Sequence, residues 1–236
     1  MKIAIRAEGS TDIGVLAYDG SLSKGPMLIL IEKLECYQKL YSELGCTEEY
    51  NFIEWVYIHK KMIEESSKER RNIVLRGKKS QRKKSVDTSL LKGFYKNSEA
   101  FAFLAKEQDS DIAIFFVDTD KDSFEDRYKE TRLGLAKYNF NDTGVPMIPT
   151  KISESWLLCC LSEYKNCGKY EKLTSTKTSP QYPKNIRKAS GFSEYEIAKN
   201  CDPNKIDMPS FNRFREDFKK AVNSYIRGGV NYDTLI

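Results

Sequence analysis

Apolar residues recur along this chain with two different periods, and the alternation between the periods predicts the fold class. The opening "KIAIRAEG" runs apolar and stops at Gly9, as a first strand followed by a turn would. In "GPMLILIEKLECYQKLYSEL" the residues Leu30, Leu34, Tyr37, Leu40 and Tyr41 recur at helical spacing, with Pro26 suited to a first turn. "NFIEWVYIHK" is rich in aromatic and β-branched residues and reads as a second strand. "DTSLLKGFYKNSEAFAFLAKEQ" returns to the helical period, with Asp87 or Thr88 as its cap.

"DIAIFFV" is nearly continuous in apolar character, as a strand covered on both faces requires. After it, "SFEDRYKETRLGLAKYNF" predicts a surface helix with Ser123 as cap and Asp126 three residues on. "GVPMIPTKI" predicts a shorter strand, and "SESWLLCCLSEY" a helix with Ser153 at its cap. Strands alternating with helices imply an α/β domain with a mainly parallel sheet flanked by helices. The main domain is expected over residues 1–162, with a basic insertion around 66–86. Residues 163–236 are expected to form a C-terminal helical appendage packed on that core. Within it, "GKYEKLTSTKTSPQYPKNIRKASG" reads as a long polar loop, and "FSEYEIAKN" and "PSFNRFREDFKKAVNSYI" as two helices. Phe211, Phe214 and Phe218 recur at helical spacing and read as core contacts.

Composition narrows the chemistry. With 236 residues, 40% hydrophobic and 31% charged, the chain can bury one sizeable core. No apolar run approaches the roughly 20 residues that span a bilayer, and "MKIAIRAEGS" lacks the apolar core of a signal peptide. No membrane association and a cytoplasmic location are therefore expected. Cys36, Cys46, Cys159, Cys160, Cys167 and Cys201 include no CxxC pair and read as reduced thiols. A zinc site from Cys159, Cys160, Cys167 and Cys201 is less favoured than core packing, because adjacent ligands suit tetrahedral geometry poorly. A lone histidine, His59, excludes a His-rich metal site and leaves carboxylates as the chemically able groups.

Those carboxylates fall where ligands bind in a parallel α/β sheet, beyond the carboxyl ends of the strands. Glu8 follows the first strand, Asp118 and Asp120 follow "DIAIFFV", and Glu154 follows "PMIPTKI". Residues two apart in an extended stretch point the same way, so "DTD" presents both carboxylates to one side. Each acid alone could cap a helix. Three acidic strand ends together favour an all-oxygen site for Mg²⁺ or Mn²⁺.

"AEGSTD" after an opening strand, paired with "VDTD" after a later one, resembles the Toprim domain of topoisomerases, primases, small RNA-maturing nucleases and the OLD-type (overcoming lysogenization defect) nucleases. "EGSTD" is similar to the "EGxTE" form of the OLD-type nucleases, with Asp12 where Glu is commoner. "SESWLL" and "PSFNRF" resemble small bacterial Toprim-like proteins, some associated with defence against phage. The resemblance covers residues 1 to 160 most clearly. It implies that Glu8 serves as metal ligand or general base, that Asp118 and Asp120 form the metal-binding pair, and that Glu154 is the acid of the nuclease branch. It further implies Asp12 as an additional ligand or a group supporting one, and it sets Lys151 near a scissile phosphate.

Between the second strand and the next helix lies "KERRNIVLRGKKSQRKKS", with Arg70, Arg71, Arg76, Lys78, Lys79, Arg82, Lys83 and Lys84. The whole chain carries only +5, so this block exceeds the total excess. It predicts contact with the phosphates of DNA or RNA and offers no base-reading motif. The expected function is Mg²⁺-dependent hydrolysis of nucleic-acid phosphodiester bonds, with antiviral defence as its setting. Two other readings remain. One is phosphoryl transfer to a small nucleotide, weakened by the absence of a P-loop. The other is a nucleic-acid-binding subunit held inactive by a partner such as an ATPase.

Overall fold

The computed structural model describes residues 1–6, 10–16, 22–66, 93–119 and 123–228. Its framework is a four-stranded, all-parallel sheet made from β1 (Lys2–Arg6), β4 (Glu54–Ile58), β5 (Ile112–Phe116) and β6 (Gly144–Met147), in the order β4-β1-β5-β6. The strands β2 (Gly14–Leu16) and β3 (Leu22–Lys24) form a separate antiparallel ribbon after the short helix α1 (Ser10–Ile13). Neither ribbon nor α1 is foreshadowed by periodicity, since three- and four-residue elements are shorter than one apolar repeat.

β1 and β5 are central and buried on both faces. Ile3 pairs with Ile112 and Ile5 with Ile114. The alternation of strand side chains sends Ile3, Ile5, Ile112, Ile114 and Phe116 into one core and Ala4, Ala113 and Phe115 into the other. A run apolar at every position follows from that placement. The edge strand β6 is blunted. Pro146 has no N–H to offer, and the Gly144 carbonyl accepts from Arg132 Nη1 at 2.7 Å.

Helices cover both faces. On the Phe115 side lie α5 (Gly93–Glu107) and α6 (Phe124–Ala136). They approach so closely that a Cβ on Gly134 would sit 2.0 Å from Ser98 Oγ and 2.7 Å from the Tyr95 carbonyl. Ser123 caps α6 as expected, its side chain accepting from the Asp126 N–H. Asp87 and Thr88 lie outside the described residues. A further helix, α4, covers residues 60–66.

On the other face the single long helix expected after Gly25 is two, α2 (Pro26–Glu32) and α3 (Glu35–Glu43). The break comes from distant residues. Lys33 Nζ donates to the carbonyls of Lys199 (2.9 Å) and Cys201. Asn204 donates from Nδ2 to the Lys33 carbonyl (3.2 Å) and accepts at Oδ1 from the Glu35 N–H (3.1 Å), so it serves both sides of the break. Periodicity within 25–44 could not reveal partners so far along the chain.

The C-terminal third also differs from expectation. α7 (Glu154–Leu161) begins without a side-chain cap, because Ser153 already has helical dihedrals. The supposed loop at 168–191 contains a 3-10 turn at Cys167–Lys172 and α8 (Pro183–Ala189), which starts on the proline itself. After it, α9 (Glu194–Asn200) starts with a capping box between Ser193 and Glu196. A 3-10 turn at Pro203–Lys205 leads into α10 (Pro209–Arg227). α10 joins the sheet's own core through an aromatic stack. Trp156 meets Phe211 edge-on at 4.9 Å and Phe214 face-on at 5.9 Å, and Phe214 stacks on Phe218 at 6.1 Å. Trp156 Nε1 donates to Ser210 Oγ at 2.8 Å, and one hydrophobic cluster spans residues of β1, β5, α2, α7 and α10.

The reading of all six cysteines as reduced thiols is corrected. Cys159 is bonded to Cys167 and Cys160 to Cys201, leaving Cys36 and Cys46 free. Successive residues on a helix project about 100° apart, so the neighbours Cys159 and Cys160 reach different partners. Both bonds fasten the C-terminal segment to α7. Cross-links of this span typically contribute about 2–4 kcal/mol. A Cys160→Ser, Cys201→Ser variant is therefore expected to melt several degrees lower in a calorimetric scan. A wild-type melt unmoved by a strong reductant would contradict the bond.

Candidate functional site at the carboxyl edge of the sheet

From β1 the chain crosses to β4 on one side, then returns past β1 to place β5 and β6 on the other. The direction of travel reverses between β1 and β5. Helices of the two halves therefore leave opposite faces there, which is where a parallel α/β sheet forms its ligand crevice, beyond the carboxyl ends of the strand pair. Glu8 lies two residues past the end of β1, and Asp118 two past the end of β5.

Pairing between β5 and β6 continues past their ends, with the Val117 N–H donating to the Met147 carbonyl (3.0 Å) and the Thr119 N–H to the Pro149 carbonyl (3.2 Å). Thr119, between the two aspartates, is 1% exposed. Its Oγ1 accepts from the Lys151 N–H at 2.5 Å, tying the turn after β6 to the turn after β5. Lys151 has φ of 68°, a left-handed conformation costly to a residue with a Cβ. Backbone held in that region by surrounding contacts concentrates at functional sites. Glu154 follows in the first turn of α7, buried, with Lys184 Nζ 3.5 Å from its carboxylate.

Among the expected site residues, Asp118, Lys151 and Glu154 thus sit on adjacent turns at one edge of the sheet. Asp12 lies in α1, half-buried, against the start of α2, since a Cβ on Gly25 would sit 2.5 Å from the Asp12 carbonyl. Glu8, Asp120 and the basic residues Arg70, Arg71, Arg76, Lys78, Lys79, Arg82, Lys83 and Lys84 lie outside the described residues. Among the described residues, no three His, Cys, Asp or Glu side chains group closely enough to hold a metal. Any such site would need Glu8 and Asp120 beside Asp118. That donor set is all carboxylate oxygen, which suits Mg²⁺.

Two arginines at this edge escaped the sequence reading. Arg6 and Arg127 are each 5% exposed. Arg6 Nη1 donates to the Phe116 carbonyl (2.6 Å) with its guanidinium over the Phe115 ring at 4.7 Å. Arg127 Nη1 donates to the Asp118 carbonyl and covers the Phe94 ring at 3.6 Å. Cations are rarely buried without anions nearby, and the pair places positive charge at the carboxyl end of β5, on the carbonyls of Phe116 and Asp118. A charged residue inside an otherwise apolar strand, as in "IAIR", was the available signal for Arg6. Arg127 carried none, because a charge in the first turns of a surface helix is ordinary.

No protein-family model, curated protein or solved structure matches this chain. No helix among the described residues is long and apolar enough to cross a membrane.

The Thr119 to Lys151 link is testable by thermal denaturation. Thr119→Val leaves the Lys151 N–H without its partner and is expected to cost about 1–3 kcal/mol. Lys151→Gly removes the left-handed penalty and is expected to raise stability by up to about 1 kcal/mol. A stabilised Thr119→Val variant would contradict the link.

Proposed function

We propose that the chain is a Toprim-like, Mg²⁺-dependent nuclease hydrolysing phosphodiester bonds of DNA or RNA, with a role in antiviral defence. The observation that carries this reading is the coincidence of the topological reversal with the two strands that "AEGSTD" and "VDTD" follow. Acidic motifs chosen by sequence alone follow the one strand pair at which the fold opens a crevice.

Glu8, Asp118 and Asp120 would hold the ion. Bound there, Mg²⁺ would supply a water of lowered pKa and offset charge on the phosphate oxygens. The chain's own residues would do the rest. Lys151, its backbone fixed by Thr119, would direct an ammonium toward the phosphate. Arg6 and Arg127 would keep the edge from repelling a polyanion. Glu154, charge-balanced by Lys184, would accept a proton or complete the ligand set.

The same two arginines favour a second reading. Four acids (Glu8, Asp118, Asp120 and Glu154) would stand against four cations (Arg6, Arg127, Lys151 and Lys184), so the negative charge would be balanced without metal. A chain of that kind would bind nucleic acid as a subunit held inactive by a partner such as an ATPase. Cleavage of plasmid, single-stranded DNA and transfer RNA in Mg²⁺ or Mn²⁺ separates the readings. The nuclease predicts cleavage that EDTA stops, that falls at least about a hundredfold in Glu8→Ala and in Asp118→Ala, and a melting temperature raised by Mg²⁺. No cleavage by folded wild type, with no Mg²⁺ effect on its melt, would sink the nuclease reading and leave the subunit.

A further inference from the structure

α10 carries a second surface that the carboxylate site does not use. Its buried face is Phe211, Phe214, Phe218, Ala221 and Val222. A different stripe, Arg213, Asp217, Lys220, Ser224 and Arg227, repeats at intervals of four and three residues and lines a groove of about 610 Å³. The facing wall is α6, through Tyr128 and Arg132, with Asp142 in the turn that follows. Between the walls lies the edge strand β6, since Arg132 Nη1 is bonded to its first carbonyl, that of Gly144.

The charges of this groove are unevenly committed. Arg132 is spent on the backbone carbonyls of Gly144 and Asn141. Asp217 accepts from the Tyr128 hydroxyl at 2.6 Å and lies 3.7 Å from Arg213 Nε, and the Arg213 guanidinium covers the Tyr128 ring at 4.5 Å. That cluster holds the two helices together and neutralises the one buried carboxylate. Lys220 and Arg227 are exposed and make no ion pair or hydrogen bond among the described residues. Of the lining carboxylates only the exposed Asp142 remains to oppose them. The surplus is positive, arranged in line along the helix axis. From Lys220 to Arg227 that line runs about 10 Å at 1.5 Å per residue, which matches the rise of about three phosphates of one B-form strand at 3.4 Å each.

We propose that the α6–α10 groove is a binding track for a nucleic-acid phosphate backbone, read by Lys220 and Arg227 with Ser224 between them. The track rests on the reading of the protein as acting on nucleic acid. Its readout is binding without metal, so it stands or falls separately from cleavage. α6 starts just past the carboxyl end of β5 and follows β6 toward its amino end, so a strand leaving the carboxylate edge would enter the groove directly.

The test is fluorescence anisotropy of labelled single-stranded and duplex oligonucleotides against the full chain in EDTA, across a salt series. Lys220→Glu, Arg227→Glu is expected to weaken binding at least about tenfold at low salt. The slope of log affinity against log salt should shrink by about one for each phosphate no longer neutralised, hence about two in all. Lys220→Gln, Arg227→Gln should shrink the slope equally with a smaller loss of affinity. Lys165→Glu, Lys199→Glu, with the same charge change placed outside the groove, should leave affinity within about twofold. Whichever oligonucleotide shows the larger loss identifies the strand form that occupies the track. An unchanged slope in the groove variants, an equal loss in the Lys165, Lys199 control, or no binding by wild type overturns the track. Wild-type binding whose slope falls as expected in the groove variants, with no cleavage by wild type in Mg²⁺, would instead count against the nuclease reading alone.

Discussion

The parallel pairing of β1 with β5 is the constraint on which the rest of this structure depends. Both strands are buried on both faces, so each residue must be apolar or be satisfied inside the protein, and each face must be covered by helices. Right-handed crossovers from a central pair then put α2 and α3 on one face and α5 and α6 on the other. The crevice at the carboxyl ends is a consequence of that handedness. What the chain places just after β1 and β5 is brought together by topology, whatever its chemistry.

At this edge electrostatics replaces packing as the deciding term. Arg6 ends a strand whose preceding residues Ile3 to Ile5 are fully buried, and its guanidinium is held by the Phe116 carbonyl and the Phe115 ring. Arg127 does the corresponding work from α6, on the Asp118 carbonyl and the Phe94 ring. Flat guanidinium groups tolerate aromatic cover better than an ammonium does. Asp118 therefore lies at an edge that already carries buried positive charge. The bond between Thr119 and Lys151 ties together the turns that carry Asp118 and Lys151.

The C-terminal third completes the core. Trp156, Phe211, Phe214 and Phe218 form one aromatic stack under the sheet, and the bonds from Cys159 and Cys160 fasten the intervening segment to the helix that starts at Glu154. Lys33 and Asn204 work in the reverse direction, using the C-terminal segment to divide a helix near the N-terminus. Through these ties the position of α7, and so of Glu154, depends on residues up to Phe218.

Local pattern by itself determined the strands β1, β4, β5 and β6, the cap of α6 at Ser123, the amphipathic α10 and the acids that follow the strands, because each depends on spacing within a few residues. It also gave the parallel class of the sheet, since a crossover helix between strands leaves little else. Four other features had no local signal: the order β4-β1-β5-β6, the break at Lys33, the cysteine pairing and the burial of Arg6 and Arg127. Tertiary structure decided these because each joins residues far apart in the chain, where no period connects them. The acids were legible as candidates. That the strands before Glu8 and Asp118 share a crevice was known only once the sheet had an order.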